Sequence, residues 1–181
     1  MMQGTPLAKA DDLSLALGVA ADDPLLLLAL VEASNRFRGE VRHYVSEETT
    51  TLTLDGNGLR SIRLPAMNVR PETVICAIDA SLADVQTSSS GVVRRRDNAL
   101  FPVGFSNVSI TYVAGYPDDA IPVDIQAAVL DVAKLTHSVR RGVSSYQVGG
   151  ISVAQGGDAI GVTQTWTDVV AAYQIKVGDR A

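Results

Sequence analysis

The hydrophobic period of this chain changes twice, and that limits the folds open to it more than any single motif does. Up to about residue 40 the apolar side chains recur at helical spacing, over 41–113 they alternate with polar ones between turn signals, and over 123–141 the helical spacing returns. Helices that bury one stripe, flanking strands that bury one face, imply an α+β chain with short antiparallel strands. With 181 residues, 46% of them hydrophobic and 19% charged, the chain can bury a sizeable core and falls outside the composition of disordered proteins.

Turn and capping residues divide the chain further. Thr5-Pro6 offers an N-cap and a first-position proline for a helix over 6–17, stopped by Gly18, and Asp22-Asp23-Pro24 opens a second over 24–38. The first two turns of that second helix are apolar nearly all round, which suggests a central core helix in contact on both sides. The third helix, over 123–141, carries Ile125, Ala128, Val129, Val132, Leu135 and Val139 in one stripe, Asp124 at its positive end, Arg140 and Arg141 at its negative end, and Gly142 as a stop. Five or six strands are expected in the β-rich middle of about 41–113. One covers 41–45, and another runs from Thr51 into Asp55-Gly56-Asn57-Gly58, which reads as a hairpin turn with its return strand over 59–64. Others cover 73–78, 92–94 and 108–113. Beyond the third helix lie a strand over 146–153 with a bulge at Gly149-Gly150, a flexible Gln155-Gly156-Gly157-Asp158 segment, and a short helix opened by Thr165 and Asp168. Residues 1–161 are expected to form one domain, and 162–181 a docking helix and tail. Trp166, Val169, Val170 and Tyr173 form the stripe of that last helix, which is expected to bind a partner or a neighbouring subunit, with capping of its own subunit's core as the lesser reading.

The search for chemistry returns no catalytic, cofactor or metal residues. His43 and His137 have no second ligand at metal-site spacing, and His137 reads as a solvated histidine on the polar side of its helix. No GxSxG elbow surrounds a serine, and the lone Cys76 sits in an apolar strand, where it packs. Asp55 and Asn57 match two positions of a calcium loop, but Arg60 and Ala66 stand where its glycine and bidentate glutamate belong. Arg94-Arg95-Arg96 is the one dense basic cluster. On a strand its side chains alternate faces, so it reads as a solvated edge or a subunit-interface candidate. The net charge of −5 disfavours a nucleic-acid grip, and the longest apolar run, seven residues over 25–31, is far short of the ~20 that a membrane span needs. A soluble chain without an export signal is expected.

In order and spacing, several segments together resemble the head-tail adaptor (connector) proteins of long-tailed bacteriophages and prophages. They are Ala33-Ser34-Asn35-Arg36-Phe37-Arg38, Leu52-Thr53-Leu54-Asp55-Gly56-Asn57-Gly58 with Leu64-Pro65, Gly91-Val92-Val93-Arg94 with Phe101-Pro102, the stretch from Val108 through Gly115-Tyr116, and Pro122-Val123-Asp124-Ile125. Phe101 stands where that family more often has tryptophan. The resemblance implies a structural virion protein and no enzyme: a homo-oligomeric ring, typically of twelve copies, beneath the portal protein. Such a ring extends the DNA channel without sequence-specific binding and docks tail-side neck proteins, the stopper or the tail terminator. It implies a place at the head-tail junction of the virion, with host cytoplasm as the site of assembly, and no cofactor or membrane. Two alternatives stay open: another neck or tail-completion protein, and a small soluble enzyme whose site draws on dispersed acids such as Asp118, Asp119 and Asp124.

Overall fold

The computed structural model describes residues 5–140, 145–148, 151–154 and 162–175. Among these are the helices α1 (Ala10–Leu17), α2 (Pro24–Val41), α3 (Val123–Arg140) and α4 (Gln164–Tyr173). The strands are β1 (Glu48–Gly56), β2 (Ser61–Arg63), β3 (Ile75–Ile78), β4 (Ser81–Ala83), β5 (Val85–Thr87), β6 (Val92–Arg95), β7 (Gly104–Ala114), β8 (Ser145–Val148) and β9 (Ile151–Ala154). The class is α+β, as expected. The chain divides into two compact units, one holding the four helices and the other β1 to β7, from Arg42 to Ala120.

In the helical unit α2 packs on α3 and α1 touches both. The buried residues of α2, Leu26, Ala29, Leu30, Ala33, Phe37 and Val41, recur at three and four, one stripe of the helix. Leu25, Leu27 and Leu28 remain about two-fifths exposed, so the apolar first turns are covered on one side rather than enclosed. The Asp23 carboxylate caps α2 at the backbone N–H of Leu25, 2.8 Å away. The helix runs through Gly39 to Val41 and stops where Arg42 takes a left-handed φ of 62°. The expected start of α1 at Thr5-Pro6 is not observed, because helix begins only at Ala10. Residues 5–9 are instead held to α2: Leu7 is buried and its N–H donates to Ser34 Oγ at 3.0 Å, while the Arg38 guanidinium donates to the Thr5 carbonyl. A tertiary hydrogen bond and a buried leucine have overridden a local cap. His137, expected on the solvated side of α3, is 3% exposed.

The β unit contains two sheets, ordered β1-β7-β3-β4 and β2-β6-β5. Their inward side chains share one core that includes Ile62, Val93, Cys76, Phe101, Ile110 and Tyr112. Outward on β1, Thr49, Thr51 and Thr53 alternate with inward Leu52 and Leu54, and Thr51 Oγ1 lies 2.8 Å from Thr111 Oγ1 on β7. A single residue, Asp84, separates β4 from β5 and carries the chain from the edge of one sheet to the edge of the other. Three expectations fail here. Residues 42–45 form no strand. The turn at Asp55-Gly56-Asn57-Gly58 is present, but its return strand β2 pairs with β6, and β1 pairs with β7. The strand expected over 146–153 is two antiparallel strands, β8 and β9, with Val148 opposite Ile151. The bulge at Gly149-Gly150, the 155–158 segment and the ends at Arg141 and Gly142 lie outside the described residues.

Gly56 explains why the turn is not a simple hairpin. A Cβ there would stand 1.7 Å from the Pro102 carbonyl oxygen, so strand β1 and the 101–104 segment touch backbone to backbone. Gly56→Ala is expected to destabilise the β unit by about 2 kcal/mol or more in denaturant unfolding. Gly39→Ala, at a helical position with open space around it, should stabilise by up to about 1 kcal/mol. Burial, with Tyr44 as a smaller cause, pushes the Tyr112 hydroxyl up to about 12. The unfolded tyrosine ionises near 10. Tyr112 therefore contributes stability that is complete below pH ~10 and is lost as pH rises toward 12. Ultraviolet titration should show one of the five tyrosines ionising last, together with that loss.

Candidate assembly surface

The stripe of α4 is set by its cap. Thr163, two residues ahead of the expected start, accepts a hydrogen bond from the Trp166 backbone N–H, and the next two helical turns align Trp166, Val169, Val170 and Tyr173. Trp166 has no exposed surface. Its ring meets Phe37 of α2 edge to face, with centroids 5.3 Å apart and planes at 89°, and the Arg36 guanidinium lies 5.8 Å from its centroid. Indole Nε1 donates to Glu40 Oε2 at 2.8 Å, and Gln174 Nε2 donates to the Glu40 carbonyl at 3.0 Å. Val169 and Val170 are buried, and the Tyr173 hydroxyl reaches Asp124 Oδ2, 3.0 Å away, at the start of α3. In the single chain the stripe expected to bind a partner lies against its own α2 and α3. Trp166, Val169 and Val170 are buried there, because α2 and α3 offer an aromatic ring, a carboxylate and apolar surface at the spacing the stripe needs.

The arginine triplet separates into three different situations. Arg94 is exposed on β6, opposite Ser61 and Gln86, and forms no ion pair among the described residues. Arg95 points to the other face. It holds Asp97 through Nε at 3.1 Å and donates through Nη1 to the Leu100 carbonyl at 3.2 Å. That guanidinium first, and the Ala99 backbone N–H second, keep the Asp97 carboxyl below the usual range. Arg96 Nε donates to Asp84 Oδ1 at 3.0 Å, and its backbone N–H donates to the Asp84 carbonyl, so it clamps the single-residue corner between β4 and β5. Within the triplet and among the described residues, Arg94 is the one that forms no ion pair.

A second exposed surface, built on the Gly56 turn, lies where β1 meets β7. Asn107 joins its parts: Oδ1 accepts from the Gly56 N–H at 2.7 Å and Nδ2 donates to the Pro102 carbonyl at 3.0 Å. Phe101 is buried, and its backbone pairs with Gly58 and Leu59. The Asp55 carboxylate accepts from the Ser106 N–H at 2.6 Å and stabilises the left-handed φ of 50° there. From this clasp Val103 (82% exposed) and Phe105 (88%) project outward, with Leu59 and Leu100 more than half exposed. The available signal was two large apolar residues, Val103 and Phe105, on either side of Gly104.

No family model and no curated protein matches the chain. Solved structures do match, from end to end. A chain from the neck of an empty gene transfer agent (GTA) particle, computed with C6 symmetry, superposes with a TM-score of 0.65 at 18% identity, covering 100% of both chains. A chain from the neck of a native GTA particle, computed with C12 symmetry, gives 0.60 at 18% identity, again over 100% of both. A third, from the virion of a native gene transfer agent particle, gives 0.62 at 19% identity over 96% of this chain and 91% of that one. The likeness is one of fold.

Trp166→Ala should cost about 3–5 kcal/mol of the helical unit's stability through the cavity it leaves. Trp166→Phe keeps the ring contact but not the bond to Glu40, and should cost about 1 kcal/mol more than the change in ring size alone. Denaturant unfolding of the full chain measures both.

Proposed function

We propose that the chain is a structural neck protein of a phage-like particle and, within the neck, the head-tail adaptor: a ring, of twelve copies, beneath the portal protein. The end-to-end fold likeness to chains from GTA necks carries this reading, since it includes both compact units and one of those necks was computed with twelve-fold symmetry. The order of the Leu52 to Gly58, Phe101-Pro102 and Val108 to Tyr116 segments supports it independently. An enzyme is disfavoured on what the residues do. Asp124, one of the acids a dispersed site would use, accepts from the Ile125 N–H and from Tyr173. Among the described residues no three His, Cys, Asp or Glu side chains gather to hold a metal.

Twelve copies at −5 each would give the ring −60 formal charges. An acidic channel wall repels phosphates and lets a duplex slide, which suits a passage for DNA without sequence-specific binding. The stopper or the tail terminator would dock on the tail side. Mass photometry of the chain alone and with the portal protein tests the role: the expected result is a mass step of twelve chains on the portal ring. A chain that ignores the portal but joins tail-side neck proteins would be another neck component, and a monomer that joins neither overturns the assembly role.

A further inference from the structure

The clasp around Asn107 spends five hydrogen bonds on a segment whose outward side chains are apolar, an arrangement that presents Val103 and Phe105 in one fixed position. Fixing exposed apolar groups in advance lowers the ordering cost of whatever they bind. The same compact unit carries a second, largely apolar surface. Val74, Ile75, Leu82, Ala83 and Val85, together with Cys76 and Asp84, line a groove of about 390 Å³ beside the β4 edge, with Ile75 57% and Leu82 81% exposed.

Projection and groove cannot meet within one copy. Ile75, one strand from β7, pairs with Thr111, six residues or about 20 Å along from Phe105, and Leu82, two strands across, faces Ala77 and so lies level with Ser109, about 13 Å along. Two complementary patches at separate places on one compact unit define a head-to-tail contact between copies, the kind that closes into a ring by rotation. The net charge of −5 makes copies repel one another, and buried apolar surface at a lateral contact would offset that repulsion. An aromatic anchor in an apolar pocket is the usual centre of such a contact.

We propose that Phe105 and Val103 of one copy seat in the Ile75 and Leu82 groove of the next, and that this is the lateral contact of the ring. The proposal rests on the assembly reading above and names its interface. Deeply exposed in the single chain, both anchor residues can be replaced without disturbing the core.

The test uses the full chain carrying Phe105→Cys with Leu82→Cys, oxidised over a concentration series, alone and with the portal protein. The native Cys76 is a free, buried thiol that lines the groove, so it is replaced by alanine in every variant of the series. A ladder of covalent dimers, trimers and higher species is expected from the double variant, while each single variant stops at a dimer. Phe105→Asp should weaken self-association at least tenfold, with an unchanged circular dichroism spectrum and melting temperature. If wild-type rings form but the double variant yields no species beyond a dimer, the interface is overturned and the ring stands. If the wild type forms no ring under either condition, both are overturned.

Discussion

Strand β7 is the element on which the β unit depends. It pairs with β1 along one side and with β3 along the other, so its eleven residues hold together strands that are far apart in sequence. Its inward side chains Val108, Ile110, Tyr112 and Ala114 are all buried in the common core, while Thr111 meets Thr51 on the outside. Because side chains in a strand alternate with period two, a slip of one residue would exchange these faces, and the core therefore holds the register. The start of β7 extends past the last residue of β3, and the clasp of Gly56, Asn107 and Pro102 forms in that overhang. The exposed projection is thus a consequence of how long β7 is relative to its neighbour.

The helical unit is held by a different device. Glu40 stands near the end of α2 and receives Arg36, the Trp166 indole and the Gln174 amide, so one residue on one helix collects two others from near the far end of the chain. The pair of Arg36 and Glu40 is solvent-exposed and worth little by itself. The buried aromatic contact between Phe37 and Trp166 supplies the larger share, and the polar contacts fix its direction.

The arginine triplet shows how charge that looks like a binding patch can be structural. Arg95 and Arg96 shape the loop after β6 and the corner between β4 and β5, and the loop that Arg95 holds leads directly into Phe101, Pro102 and Val103. The same local chemistry therefore supports the sheet corner at the groove and the loop that ends in the projection.

Helices α2 and α3, the alternation through β1 and β7, the packing role of Cys76 and the alternation of the arginines were legible from the sequence, because each depends on spacing within one element. Strand pairing was not: the Asp55 to Gly58 turn has hairpin chemistry, yet β1 found β7 and β2 found β6, since pairing is decided by the core that distant strands share. Nor was the fate of the α4 stripe legible. A stripe of Trp166, Val169 and Val170 states only that a surface must be covered, and the cover came from Phe37 and Glu40, more than a hundred residues earlier. Local periodicity determined which faces needed burial, and the tertiary structure alone decided which surface would bury them, because apolar burial is non-directional and takes its partner from whatever the rest of the fold brings near.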